Sequence, residues 1–387
     1  MNGWSQSWSV QRAVTRGLLR DREWLLVALV SPLFYLFFYG SAYLHKVEAD
    51  LPLAVLDLDR SALSRTLVRG LEAHPMLAVT RTPASGEEAR LELERGQVKA
   101  VLWIPRRLSA RLKAGQAAEV ELWTDASRFL PANDVNRAVG EVVGTLGTGV
   151  VMKGWRARGA GADQLPSRAD PLRLEQRPLF NERDAYGDFL LPVLLGLILQ
   201  QTLLIAVGLL AGGLRASGGL AEVSRRAGGR PLAALAGLLL PVLVVYAGHA
   251  LFIQAVPVRL YGLGQAGSPA ALLLLTLLFL PTLACLGWLA ASWLPDRLAV
   301  LQLFVFSSYP LLLLSGTSWP LEAMPAPLAL LARLLPGTPY LQALVRVTQT
   351  GAGLRHIRPE LLLLAGQLLV YGALARWRLA RQLRSAT

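Results

Sequence analysis

The stretch 24–43, WLLVALVSPLFYLFFYGSAY, carries no formal charge. A hydrocarbon core roughly 30 Å thick takes about twenty such residues of helix to cross. The pattern then changes. From Lys46 to Arg183, short apolar runs alternate with charged segments of helical period. Residues 53–58, 77–80, 98–104 and 120–124 predict strands, whereas 61–73, 87–96 and 106–114 predict helices. Ser85 and Glu88 match the S-x-x-E capping box, whose paired side chains satisfy free amides at a helix start. A longer helix is expected over 131–158, followed by a Gly/Ala/Ser/Pro-rich linker at 159–170.

Beyond Asp184 the chain turns apolar again. Residues 189–210, 232–256, 270–294, 298–314 and 361–377 each have the length and composition of a span. Residues 328–351 are interrupted by Arg333, Pro336, Pro339 and Arg346, which predicts an interfacial or re-entrant segment. The expected fold is therefore an α-helical integral membrane protein with six transmembrane helices and an inserted extracytoplasmic α/β domain. Its parts would be a leader helix (1–23), the first span (24–43), the α/β domain (44–185) and a five-helix domain (186–387). That last part would carry a cytoplasmic loop at 214–231 and an outer re-entrant segment at 315–351.

Charge orients this layout. Arg12, Arg16, Arg20 and Arg22 in the leader, Arg215, Arg225, Arg226 and Arg230 in the 214–231 loop, and the arginines from Arg376 onward mark the cytoplasmic side. Both termini are then inside and residues 44–185 outside, which in a bacterium means a periplasmic domain on a multi-pass inner-membrane protein. Trp4, Trp8, Val10, Val14 and Leu18 recur at helical spacing, so the leader is expected to lie in the membrane interface. The net charge of +13 is spread over these flanks rather than gathered on a platform, which argues against nucleic acid as a partner.

Chemistry is sparse. Neither a G-x-x-x-x-G-K-[ST] loop nor H-E-x-x-H, C-x-x-C or G-x-S-x-G occurs, so no cofactor or metal is assigned to this chain. One cysteine, Cys285, excludes an intrachain disulfide and reads as a small buried hydrophobe. Asp57 and Asp59 leave the first strand on one face and read as turn and cap carboxylates in preference to a metal or hydrolytic pair. His249 lies within a span, as a packing residue ahead of a pathway residue. Gln200 and Gln201 in the second span, and Ser307 and Ser308 in the fifth, are candidates to line a hydrated path or to bond between helices. No span has an ionisable residue at its centre, which weighs against proton or sodium coupling.

Three local motifs resemble the permease subunit of type-2 ABC exporters, in the subclass with a large extracytoplasmic domain between the first two spans. They are Phe180-Asn181-Glu182 leading into Phe189-Leu190-Leu191-Pro192, Gly219-Leu220-Ala221-Glu222 with its basic residues, and Ser315-Gly316-Thr317-Ser318-Trp319-Pro320-Leu321-Glu322-Ala323-Met324-Pro325. Leu220 stands where that family usually has Thr. The resemblance implies that Gly219, Glu222, Arg225 and Arg226 form a coupling helix docking on a separate cytoplasmic ABC ATPase, which would hold the ATP and Mg. It implies likewise that Ser315, Gly316, Pro320, Glu322 and Pro325 shape an outer gate. The function it implies is ATP-driven export of hydrophobic or amphiphilic molecules, drug or lipid-like, by a dimer of this chain or of this chain with a paralogue, in contact with lipid and open to a periplasmic adaptor. Two other readings remain: a mechanotransmission protein that moves its outer domain to regulate an envelope partner, and a membrane enzyme built on Asp57 and Asp59.

Overall fold

A computed structural model describes residues 3–43, 49–159, 180, 186–263 and 266–385. The chain divides into two compact units, Val47–Arg177 and the remainder, Met1–Lys46 with Pro178–Thr387.

The first is an α/β unit. Its strands β1 (Leu51–Asp57), β2 (Leu77–Arg81), β3 (Ala100–Ile104) and β4 (Glu121–Thr124) make one sheet in the order β2-β1-β3-β4. β1 runs parallel to both neighbours, and β4 is antiparallel to β3. Central strand β1 is apolar almost throughout, because both faces of the sheet are covered. Leu53, Val55, Leu102 and Ile104 face a core shared with Leu67 and Leu71 on one helix and Val135 and Val139 on another. Ala54, Leu56 and Val101 face the opposite side with Ala89 and Val98. The helices are α3 (Ala62–Glu72), α4 (Gly86–Glu94), α5 (Leu108–Lys113) and α6 (Phe129–Ala157).

The turn after β1 is closed by side chains. Asp57 Oδ1 accepts from the amides of Asp59 (3.0 Å) and Arg60 (2.9 Å), and its Oδ2 accepts from the Ser64 hydroxyl at 2.7 Å. Asp59 Oδ2 accepts from the Ser109 amide at 3.2 Å. Both carboxylates therefore serve turns and helix starts, as the sequence suggests. The reciprocal capping box, however, is at Ser61 and Ser64 (3.1 and 2.9 Å). At the expected Ser85–Glu88 box only half forms. Ser85 Oγ accepts from the Glu88 amide, but the Glu88 carboxylate takes the amide of Ala84 at 2.7 Å. The longer glutamate overshoots its own cap and satisfies the preceding donor instead.

The second unit is helical. It begins with α1 (Gly3–Leu18) and continues with α2 (Arg22–Ala42), which contains a π-helical turn at Leu26–Val30. Later come α7 (Tyr186–Ala216), α8 (Gly219–Arg226), α9 (Pro231–Leu260), α10 (Pro269–Ala291), α11 (Arg297–Leu314), α12 (Ala326–Leu334), α13 (Gly337–Thr350) and α14 (Arg358–Ser385). Six of these, α2, α7, α9, α10, α11 and α14, are long and apolar enough to span a membrane. The pair α12 and α13 bends by 81° around Leu335 and Pro336, the geometry expected of an interrupted segment. Of the spans α7 is the most buried and α11 the least.

The sequence explains the widened turn in α2. Pro32 has no N–H, so the Ala28 carbonyl four residues earlier loses its helical partner, and the proline ring crowds it. His249 Nε2 on α9 donates to that orphaned oxygen at 2.7 Å. The histidine is thus a packing residue joining α9 to α2. Helix α1 lies along α9 with Val10, Val14 and Leu18 buried. Contact is close enough that a Cβ at Gly237 would fall 2.6 Å from Val10 Cβ. The leader is thus part of the bundle, with Trp4 and Trp8 exposed on its other side.

Candidate functional site

The predicted coupling residues fall on α8, a two-turn helix between the long apolar helices α7 and α9. Gly218, at φ +64°, ends α7 in the left-handed conformation that glycine adopts without strain, and the chain turns sharply into α8. Val223 and Ser224 are buried, and the charged residues share the opposite face. Glu222 holds both arginines at once, Arg226 Nε at 2.5 Å and Arg225 through its Nη2. The hydrogen bonds from Arg226 and Arg225 keep the Glu222 carboxyl below its usual range. The result is a fixed charged face in which one carboxylate is clamped between two guanidinium groups.

The leader helix supports this element from behind. Ser9 Oγ donates to the Arg226 carbonyl at 3.2 Å, and Gly228 at φ +58° passes so near Gln6 that a Cβ there would fall 2.5 Å from its Nε2. A cleft of about 390 Å³ opens between α1, α7 and α8, with apolar walls such as Val14 and Leu210 and a charged rim of Asp21, Glu222, Arg226 and Arg297. Asp21 caps α2 by accepting from the Trp24 amide and pairs with Arg297 at 2.8 Å, and Arg297 also reaches Glu23 at 3.1 Å. Sequence reasoning missed this cluster. Its one local signal is the Asp21 cap; the partner at the start of α11 becomes visible only in three dimensions.

The predicted gate residues separate into two groups. Ser315 is buried, and its hydroxyl lies 2.6 Å from both the Leu312 carbonyl and Thr317 Oγ1. Gly316, at φ +78°, has no room for a Cβ, which would meet Gln342 Nε2 at 2.4 Å. Pro320, Glu322 and Pro325 are exposed, Glu322 within the short 3-10 turn Leu321–Ala323 and the two prolines on either side of it. Thr338 Oγ1 on α13 donates to the Leu314 carbonyl at 3.1 Å, tying the turn to the bent pair.

The polar residues proposed for a pathway meet in part. Gln201 Nε2 on α7 and the Ser307 hydroxyl (2.9 Å) both donate to the Phe304 carbonyl of α11. Ser308 bonds back to Val305 on its own helix. Gln200 lies elsewhere, under the start of α13, where a Cβ at Gly337 would fall 1.8 Å from Gln200 Oε1. The Oε1 atoms of both glutamines are buried without a partner. A void of about 40 Å³ among α7, α9, α10 and α13 has room for a few water molecules but not for a drug-sized ligand. Among the described residues no group of three or more His, Cys, Asp or Glu could hold a metal ion.

Comparison with known families decides the assignment. The profile of the ABC-2 family transporter protein matches residues 22–377. The chain belongs to the ABC-2 transporter family. Neither the comparison with curated proteins nor that with solved structures gave a match. Membership makes this a multi-pass membrane protein and the permease of an ABC transporter, a transport subunit whose family works with ABC ATPase subunits.

The permease carries a further set of arginines at its helix ends. Arg215 Nη1 donates to the Leu294 carbonyl at 2.5 Å, and Arg378 Nη2 to that of Ser292 at 3.0 Å while stacking 4.0 Å over Trp293. They satisfy carbonyls left free where α10 ends. Such long-range capping explains part of the basic character that the sequence assigns to topology alone. The junction motif Asn181-Glu182 lies outside the described residues.

Proposed function

We propose that this permease exports hydrophobic or amphiphilic molecules, with ATP hydrolysed, on Mg, by a separate cytoplasmic subunit that docks on α8. The observation that carries the reading is the charged face of α8. A two-turn helix with one carboxylate locked between two arginines, braced by α1, offers a preformed surface for a partner and passes its displacement directly to α7 and α9. Long packed helices move as rigid bodies, so a push at α8 re-aims both spans.

The substrate path lies between two copies, or between this chain and a paralogue. The small interior void supports that placement, and so does α11, whose Phe306 and Tyr309 stand exposed on a span that packs mainly against α7. Gln201 and Ser307 border the α7–α11 seam, and the Ser315–Pro325 turn forms the outer gate, with Ser315 and Gly316 as its fixed base. Both termini and α8 are cytoplasmic, residues 44–185 are periplasmic, and the inner membrane is the site of action. The α/β unit guides substrate or receives a periplasmic adaptor. Lipid surrounds the dimer.

Purification of the tagged chain from its native host tests this. A nucleotide-binding subunit is expected to co-purify, with ATPase activity stimulated by amphiphiles in nanodiscs. Glu222→Arg should cut retention of that subunit at least about tenfold, since three cations would then face one another on α8. Retention by the variant, or ATP hydrolysis by the permease alone, would overturn the coupling reading. Uptake of amphiphile by inside-out vesicles tests direction.

A further inference from the structure

The α/β unit has a cleft that the transport reading does not use. It lies between α3 and the segment following β2, at the carboxyl ends of the parallel strands β1 and β2, and has a volume of about 660 Å³. The volume falls within the usual range for small-molecule sites. Val55 from β1, Val68 from α3 and Pro83 form apolar wall, while Arg60, Arg65 and Arg69 supply charge. Arg65, Val68 and Arg69 share a face of α3 because residues three and four apart lie side by side on a helix.

The three arginines are unlike others in the same unit. Arg90 pairs with Glu94 at 2.8 Å and Arg137 with Asp134 at 3.3 Å. Among the described residues, Arg65 instead donates to the Arg60 carbonyl (2.9 Å) and Arg69 to the Thr66 hydroxyl (3.2 Å), and none of the three meets a carboxylate within ion-pair distance. Asp57 also lines the cleft, yet both of its oxygens are already engaged by Asp59, Arg60 and Ser64. The turn that holds Arg60 here is costly, since a non-glycine residue sits at φ +48°. Asp57 fixes it there by accepting the Arg60 amide.

From these observations we infer that this cleft binds an anionic amphiphile, a phosphate or similar acidic head on the arginines with its apolar tail against Val55, Val68 and Pro83. Guanidinium groups suit such heads because their N–H fork matches phosphate and carboxylate oxygens. The inference concerns the α/β unit alone and holds whichever way the permease moves its substrate.

The test uses the full-length chain in phosphatidylcholine nanodiscs, titrated calorimetrically with hexyl phosphate, inorganic phosphate and hexyltrimethylammonium. Hexyl phosphate is expected to saturate one site. Inorganic phosphate should bind at least about tenfold more weakly for want of the tail, and the cation should not saturate. Arg65→Gln/Arg69→Gln should weaken hexyl phosphate at least about tenfold, given two charge-assisted bonds lost. Val68→Glu should do the same by pairing the arginines internally, and Arg90→Gln should change nothing. Arg65, Arg69 and Arg90 are exposed and Val68 half-buried, and an unchanged melting temperature verifies the fold of each variant. Absence of saturation by the wild-type chain, equal affinity in the double variant, or saturation by the cation would overturn the inference. Inorganic phosphate binding as tightly as hexyl phosphate would reject the amphiphile and leave a plain anion site.

Discussion

The two units differ in how fully they satisfy their buried polar groups. In the α/β unit, the junction after β1 engages both of its carboxylates. Asp57 takes three donors, Ser61 and Ser64 cap each other, and Asp59 reaches Ser109. In the helical unit, Gln200 Oε1, Gln201 Oε1 and Trp288 Nε1 are buried without partners. An unsatisfied buried polar group costs about 1–3 kcal/mol. Among the described residues Glu92 Oε2 is the α/β unit's one such atom, so the difference is of degree: the turn after β1 is closed by hydrogen bonds, whereas the helix seams keep several unfilled polar atoms.

The largest effects should come from packing, in both units. Leu53→Ala removes a fully buried side chain from the centre of the sheet and should cost about 2–5 kcal/mol. Limited proteolysis of residues 49–159 should accelerate accordingly, with the helical unit retaining its protection. Gly337→Val is the counterpart among the spans. The added carbons would enter the Gln200 side chain, and overpacking of this kind costs about 1–3 kcal/mol. A fall in melting temperature in detergent is expected, and Gln200→Ala in the same chain should restore much of it. If it does not, the Gly337–Gln200 approach is not what limits the packing there.

These packing relations mark how far sequence reasoning reaches. The strands were legible to within two residues because alternation, turn residues and caps are local. The spans were legible because about twenty apolar residues announce themselves. Local chemistry also exposed the α8 charges, since Glu222, Arg225 and Arg226 are helix neighbours. What the sequence could not show were pairings across the chain: His249 with the carbonyl freed by Pro32, Asp21 with Arg297, Gly337 over Gln200. Each partner alone looks ordinary. The same holds for Arg60, Arg65 and Arg69, whose lack of carboxylates is a property of their surroundings.

A middle-sized effect should separate the units more sharply. Asp57→Ala leaves the amides of Asp59 and Arg60 and the Ser64 hydroxyl without their acceptor, and should destabilise the α/β unit by about 1–3 kcal/mol. Gln200→Met removes an atom that has no partner and should cost less than about 1 kcal/mol, or stabilise. Melting curves of the two variants read the contrast directly. Equal losses would show that Gln200 is satisfied by water after all, and the distinction between the units would collapse at that position.

The smallest effect on stability, and a telling one for coupling, should come from pH at α8. The Glu222 carboxyl is held below the usual glutamate value of 4.5, chiefly by the Arg226 hydrogen bond and then by Arg225. A carboxyl with a depressed folded-state value contributes fully above the unfolded value and loses that contribution as pH falls through the lowered one. Retention of an ATPase subunit on α8 should therefore stay constant from pH 8 to about 5, and fall only below the ordinary glutamate range. Because the group is exposed, the permease's own melting temperature should hardly respond to Glu222→Gln, while retention of the partner should drop and lose its acid limb. A variant that kept the acid limb would assign it to carboxylates on the partner, and Glu222 would then be holding the shape of α8 without reading its charge.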